Sequence, residues 1–362
     1  MSLTANDSKT RLSSIKPRPK LLRLQWIRGT AAILIVLFHA TEISNRKFDQ
    51  PFYGNIFSWG DGGVDLFFVL SGFIVWYVHS RDFHQPQKLG PFLLKRGIRI
   101  YPLYWLLTLM MVAVYLAIPG FGAGHETQPL TILKSLLLIP VEPFPVLTVG
   151  WYLCHEIFFY GFIALLIGLR PKMVWPIIGL WLGATLALGM SSAFGLLSVA
   201  PSFTVSFLLS LHNLEFALGM GVGWLVLHRS NQCPGQLLLG VGLVGFVLAG
   251  LMQAFGEMAW PTLIAYGLPS VLIILGAAVL DLQRPLLVPG VGAALGDVSY
   301  ALYLSHYAVL SAVGMVLTQM PLGAGGILLG LSIGIAIAIA VGFWLHYYLE
   351  KPMMKWLKKQ LI

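Results

Sequence analysis

A chain of 362 residues that is 57% hydrophobic and only 10% charged, with a mean hydropathy of +0.80, is excluded from the ordinary soluble class and belongs in a membrane. Its formal charge of +9 is spread through the segments between apolar runs, so it points to anionic lipid headgroups and gives no support for nucleic acid as a partner. Two cysteines, Cys154 in an apolar run and Cys233 in a loop, exclude a disulfide framework and suggest no zinc or other metal site.

In chain order, residues 1–20 are polar, carry Lys9, Arg11, Lys16, Arg18 and Lys20, and read as a disordered cytoplasmic tail. The remainder, 21–362, reads as one all-α polytopic membrane domain without an internal repeat. Crossing a hydrocarbon layer of about 30 Å takes about 20 apolar residues. Ten runs qualify: 24–43, 62–80, 102–119, 150–169, 173–190, 204–228, 236–253, 259–280, 294–319 and 326–349. The first is of full membrane length and lacks a small-residue cleavage site after it, so it is expected to stay as an anchor. A shorter stretch at 130–140, cut by Pro140 and holding Lys134, is predicted to form an interfacial or re-entrant helix.

Ten crossings with both termini cytoplasmic leave only Arg46, Lys47 and Lys134 on the outer side, as the bias of lysine and arginine toward cytoplasmic loops requires.

Ionisable residues inside the spans carry the chemistry, because a charged side chain at the centre of a bilayer costs roughly 2.5–3.5 kcal/mol on insertion scales. Arg28 and His39 lie eleven residues apart, three helical turns, on one face of the first span, with His39 about 16 Å farther across and Glu42 continuing that face. Asp65 opens the second span, Glu156 follows the outer end of the fourth by about two turns, and His306 stands just past the midplane of the ninth. Each alone also fits packing, capping or local pairing. Together they place two histidines and two carboxylates at a common depth, as a general-base site needs. Toward the inner face, Arg96 and Arg99 stand at i,i+3 among Leu93, Leu94, Ile98 and Ile100, on a short amphipathic helix predicted to end at Pro102. Such a helix would aim guanidinium groups at the phosphates of a nucleotide or coenzyme.

Six stretches, in order, carry a resemblance: Arg28 to His39 as R-x10-H, GVDLFFVLSGF from Gly63 to Phe73, RxxR followed by YP from Arg96 to Pro102, GWxLxxEIFFY from Gly150 to Tyr160, LEFALGM from Leu214 to Met220, and SYALYLSH from Ser299 to His306. The chain thereby resembles the membrane-bound acyltransferase-3 superfamily, and within it the ExoZ-like exopolysaccharide O-acetyltransferase branch. That resemblance implies acyl transfer, acetyl foremost, from cytosolic acetyl-CoA or another acyl-CoA to a hydroxyl of a glycan or lipid-linked oligosaccharide at a bacterial inner membrane. It implies His39 as the catalytic residue, Arg28, Arg96 and Arg99 as the residues that hold the CoA phosphates, and supporting roles for Asp65 and Glu156; His306, by its depth, is added to the catalytic candidates and Tyr101 to the donor-binding ones. Unlike relatives fused to an SGNH-type periplasmic domain, this chain ends just after its last span, so transfer is expected to finish within the membrane domain. Tyr303 and Ser71 are candidate oxyanion donors. Direct transfer and an acyl-histidine intermediate both remain open. A transporter or flippase of an anionic or glycan substrate is the rival reading.

Overall fold

The computed structural model describes residues 20–118, 120–197, 199–256 and 260–362, so all but Lys20 of the expected tail lies outside the described residues. Where they are described, the residues form helices and turns and contain no strand. A backbone surrounded by hydrocarbon must satisfy its own N–H and C=O groups, and a helix does so within one segment.

Ten helical segments among the described residues are long and apolar enough to cross a membrane. The first is α1 (Leu22–Phe48), which ends where Asp49 adopts a left-handed conformation and its N–H closes on the Asn45 carbonyl. A short helical turn, Gly60–Gly62, leads into α2 (Gly63–His79). Next comes α3 (Leu89–Ala117), and then the short α4 (Pro129–Leu136), which matches the predicted interfacial piece in position and is too short to cross. The fourth and fifth spans are α5 (Trp151–Gly168) and α6 (Pro171–Ala193). The sixth is built from α7 (Phe203–Leu208) and α8 (His212–Arg229). It is followed by α9 (Gly235–Ala254), α10 (Leu268–Gln283) behind a π-helical turn at Leu263–Gly267, and α11 (Gly290–Thr318). Last, α12 (Ala324–Leu345) passes through a second π-helical turn, His346–Glu350, into α13 (Lys351–Leu361). Spans two and eight are the most enclosed, whereas α6 and α9 show most of their apolar surface to the lipid.

Two expectations are corrected here. The helix that carries Arg96 and Arg99 does not stop at Pro102 but runs on through it as one 29-residue element. Proline removes a single backbone donor, and a long helix held by neighbours on both sides tolerates that loss. Arg96 and Arg99 therefore sit roughly 10–15 Å along a continuous helix rather than on a surface segment. The last span likewise continues beyond 349 to Leu361.

Candidate functional site

Two helices from opposite ends of the chain bring the histidines together. At Gly29 of α1, a Cβ would lie 2.7 Å from Leu295 Cβ and 2.9 Å from the Gly296 amide nitrogen of α11, and at Gly296 it would collide with the Gln25 carbonyl. Only glycine permits so close a backbone approach. Ten residues farther along each helix, His39 and His306 meet, with His306 Nε2 3.1 Å from His39 Nδ1 and ring centroids 5.0 Å apart. The two helices therefore run parallel.

Hydrogen bonds assign the protons. His306 is fully buried, and its Nδ1 lies 3.1 Å from the Leu302 carbonyl, which can only accept. Neutral His306 must then carry its proton on Nδ1, leaving Nε2 as an acceptor. His39 Nδ1, 3.0 Å from the Ile35 carbonyl, is the donor to both. His39 Nε2 is left unprotonated on a half-buried ring that lines a cavity of about 600 Å³.

That cavity is a polar vestibule with aromatic walls. Glu42 and Arg46 pair along one face of α1 at 2.8 Å, and Lys47, Tyr115, Trp151 and Tyr307 also line it. Glu126 lies in the loop beside it. Burial opposes ionisation there, but backbone N–H donors, Ala123 at 2.9 Å among them, prevail and hold its carboxyl below the usual range.

On the other side of the histidine pair lies a second cavity, of about 160 Å³, and it is cationic. Arg28, Arg96 and Arg99 line it together with Ser71, Tyr152, Glu156, Tyr160, Tyr300 and Tyr303. Arg96 stacks over Tyr160 at 5.2 Å and its Nε is buried without a partner, while Arg99 stacks over Tyr300 at 5.1 Å. Arg99 also pairs with Glu350, whose other oxygen is 2.8 Å from His346 Nδ1. Among the described residues, neither Arg28 nor Arg96 has a carboxylate within ion-pairing distance, so the cavity has spare positive charge for an anion. No residue lines both cavities; Tyr303, whose hydroxyl donates to the Val149 carbonyl at 2.7 Å, borders one and His39 the other.

The structure thus unites His39 with His306 and Arg28 with Arg96 and Arg99, and it corrects three placements. Glu156 does not join the histidines; it lines the arginine cavity, where Tyr160 donates to it at 2.5 Å. Asp65 is apart from them too, grouped with His212 and Glu215. Counting residues along separate helices put all four in one layer, but that count does not say which helix faces meet, and the packing sends Asp65 and Glu156 to other neighbours. Tyr101 does not line the arginine cavity and packs on Trp105 at 5.1 Å, because two residues past Arg99 it is turned about 200° around the helix. Glu350, His346 and Tyr160 escaped sequence reasoning. The i,i+4 spacing of His346 and Glu350 at the end of the last span was the available signal.

Comparison with known proteins shows the family. Residues 21–359 match the model of the acyltransferase-3 family, described as an acyltransferase domain. The chain belongs to the acyltransferase-3 family. It is 32% identical over 333 residues to the exopolysaccharide production protein ExoZ of Rhizobium meliloti, covering 88% of this chain and 95% of that one. A putative acetyltransferase of Acidianus two-tailed virus is 26% identical over 86% of this chain and 87% of its own. The peptidoglycan O-acetyltransferase OatA of Listeria monocytogenes is 24% identical over 65% of this chain and 33% of its own. No solved structure matches. A multi-pass membrane protein of an acyltransferase-3 family is therefore the setting in which the two cavities and the histidine pair operate.

Proposed function

We propose that this acyltransferase-3 protein is an O-acyltransferase of the bacterial inner membrane that moves an acyl group, acetyl in the simplest case, from cytosolic acyl-CoA to a hydroxyl of a polysaccharide or lipid-linked sugar. The observation that carries the reading is the His39–His306 pair standing between an arginine-lined cavity and a polar, aromatic vestibule. The names of the relatives, an exopolysaccharide production protein and a peptidoglycan O-acetyltransferase, support a glycan acceptor.

In this reading CoA phosphates engage Arg28, Arg96 and Arg99 from the cytoplasmic side, since so charged a molecule does not cross lipid. A pantetheine arm of roughly 15–20 Å spans the rise of about 16 Å from Arg28 to His39. The thioester must pass the Tyr303–His306 step to reach the vestibule. There a sugar ring stacks on Trp151 or Tyr307 and offers its hydroxyl to His39 Nε2. His39 takes the proton as the oxygen attacks the thioester carbon. His306 Nε2 accepts a strengthened hydrogen bond from the resulting imidazolium. Collapse breaks the C–S bond, and the departing thiolate recovers the proton, giving an ester and free CoA thiol. Of the two expected oxyanion donors, Tyr303 has its hydroxyl committed to the Val149 carbonyl, and Ser71 pairs with Tyr152 at 2.9 Å in the arginine cavity rather than the vestibule.

The test uses the purified chain in nanodiscs with acetyl-labelled CoA and oligosaccharide acceptors. Label should appear in the acceptor as an alkali-labile ester, without a membrane gradient, and vanish with His39→Ala. Movement of acceptor without covalent label would identify a carrier, and full turnover by His39→Ala would remove the assigned base.

A further inference from the structure

A second buried polar cluster lies outside the acyl-transfer machinery. Helices α2 and α8 cross where Gly72 faces the Phe216 carbonyl and Gly219 faces the Val69 carbonyl, and a Cβ at either glycine would collide with that carbonyl. Seven residues before each glycine stand Asp65 and His212, brought level by the crossing, with Glu215 one turn beyond His212. The ligating atoms of Asp65, His212 and Glu215 all lie within 4.8 Å of one another. Asp65 is 3% exposed and Glu215 is 0% exposed, and Oδ1 of the first and Oε1 of the second are buried without a hydrogen-bond partner.

The cluster has too many acceptors. His212 Nδ1 lies 3.2 Å from Glu215 Oε2, and even if it donates there, Asp65 Oδ1 and Glu215 Oε1 stay without a donor. Among the described residues no lysine or arginine pairs with either acid. Two carboxylates cannot remain charged and uncompensated in a membrane interior. A single shared proton gives one hydrogen bond and leaves the other acceptors unserved. A cation serves all three at once.

The surroundings are also arranged as a cradle. The Phe68 ring stacks on His212 at 4.6 Å and fixes its plane. Gly267, at the end of the π-helical turn, would bring a Cβ to 3.1 Å of Glu215 Oε1, so glycine leaves that carboxylate its room. His212 further lines a cavity of about 290 Å³, through which a hydrated ion can approach.

We propose that Asp65, His212 and Glu215 bind one divalent transition cation, Zn2+ or Mn2+, at a site separate from His39. One imidazole and two carboxylates form a ligand set suited to these ions, and water completes the coordination. The ion would tie α2 to α8 and neutralise both acids. The measurement is metal content by mass spectrometry, and melting temperature, on the full chain purified without metal-affinity chromatography. After equilibration with Zn2+ or Mn2+ the wild type should hold about one ion per chain and melt higher, and a chelator should reverse both. Asp65→Asn and Glu215→Gln should lower occupancy by about tenfold or more. His39→Ala should keep full occupancy, so the site stands or falls independently of the acyl-transfer reading. Trace metal in the wild type with a melting temperature indifferent to both ions overturns the proposal and leaves a shared proton as the neutralising species. Equal metal in wild type and Asp65→Asn overturns it as well.

Discussion

Replacing His306 by alanine separates the two histidines. His39 Nδ1 has two acceptors, the Ile35 carbonyl at 3.0 Å and His306 Nε2 at 3.1 Å. Without His306, the carbonyl alone still fixes the reactive tautomer, so Nε2 remains the bare nitrogen and the base survives. What disappears is a hydrogen bond that strengthens as His39 becomes charged. Hydrogen bonds to charged groups contribute about 1.5–3 kcal/mol, which converts to a loss of roughly 10- to 150-fold in kcat. Removing the base itself, by His39→Ala, should cost at least the ~10²–10⁴-fold typical of proton transfer catalysis. Single-turnover kinetics of ester formation in nanodiscs at saturating acyl-CoA measure both. His306→Gln, whose amide oxygen offers an acceptor, should recover part of the loss, and melting curves control for the hole left at a fully buried site. If His306→Ala is as inactive as His39→Ala, His306 is itself an essential proton carrier. If it loses less than twofold, the hydrogen bond from His39 to His306 has no role in catalysis.

Glu350→Gln should leave Arg99 without its anion and destabilise the protein by about 3–5 kcal/mol or somewhat less, because Arg99 keeps some solvent contact. Acyl-CoA should then raise the melting temperature of the variant more than that of the wild type, its phosphates replacing the lost carboxylate. Gly296→Ala should cost about 1–3 kcal/mol and lower turnover by shifting His306 away from His39, whereas Gly183→Ala, where a Cβ meets nothing within 4 Å, should be silent in both assays. Trp151→Ala should raise the acceptor KM by up to about tenfold and leave the acyl-CoA KM unchanged, as expected of a stacking wall that lines the vestibule and not the arginine cavity.

The shared level of the two histidines was legible in the sequence, but which helix faces meet was not. Hydropathy placed eight of the ten spans within about five residues, missing the start of the third and the end of the last, and counting at 1.5 Å per residue set His39 and His306 at one level, because hydropathy and rise are properties of single helices. Which of ten helices faces which depends on packing that one helix does not encode. Asp65 and Glu156 were therefore grouped with the wrong neighbours. Tyr101 is a different case. Its turn away from Arg99 follows from helical geometry, and the expected break at Pro102 concealed it. Glu215 lay within a recognised stretch, Leu214 to Met220, yet the partners that give it a role, Asp65 and the glycine at 267, come from distant parts of the chain.

Both polar clusters obey the same construction. In α1 and α11, and again in α2 and α8, two parallel helices touch at glycines, and the ionisable pair sits the same number of residues from the contact on each helix: ten for His39 and His306, seven for Asp65 and His212. A small-residue crossing lets backbones approach within van der Waals range and so fixes axial register, where bulkier, interchangeable side chains allow helices to slide. In lipid no hydrophobic force holds helices in place, and register fixed by shape is what keeps a hydrogen bond of 3.1 Å intact across a chain separation of 267 residues. The glycines of the crossings are thus positioning residues for chemistry about 10–15 Å away. Substitutions at them should disturb the histidine pair and the acidic cluster separately, since the two crossings lie on different helix pairs.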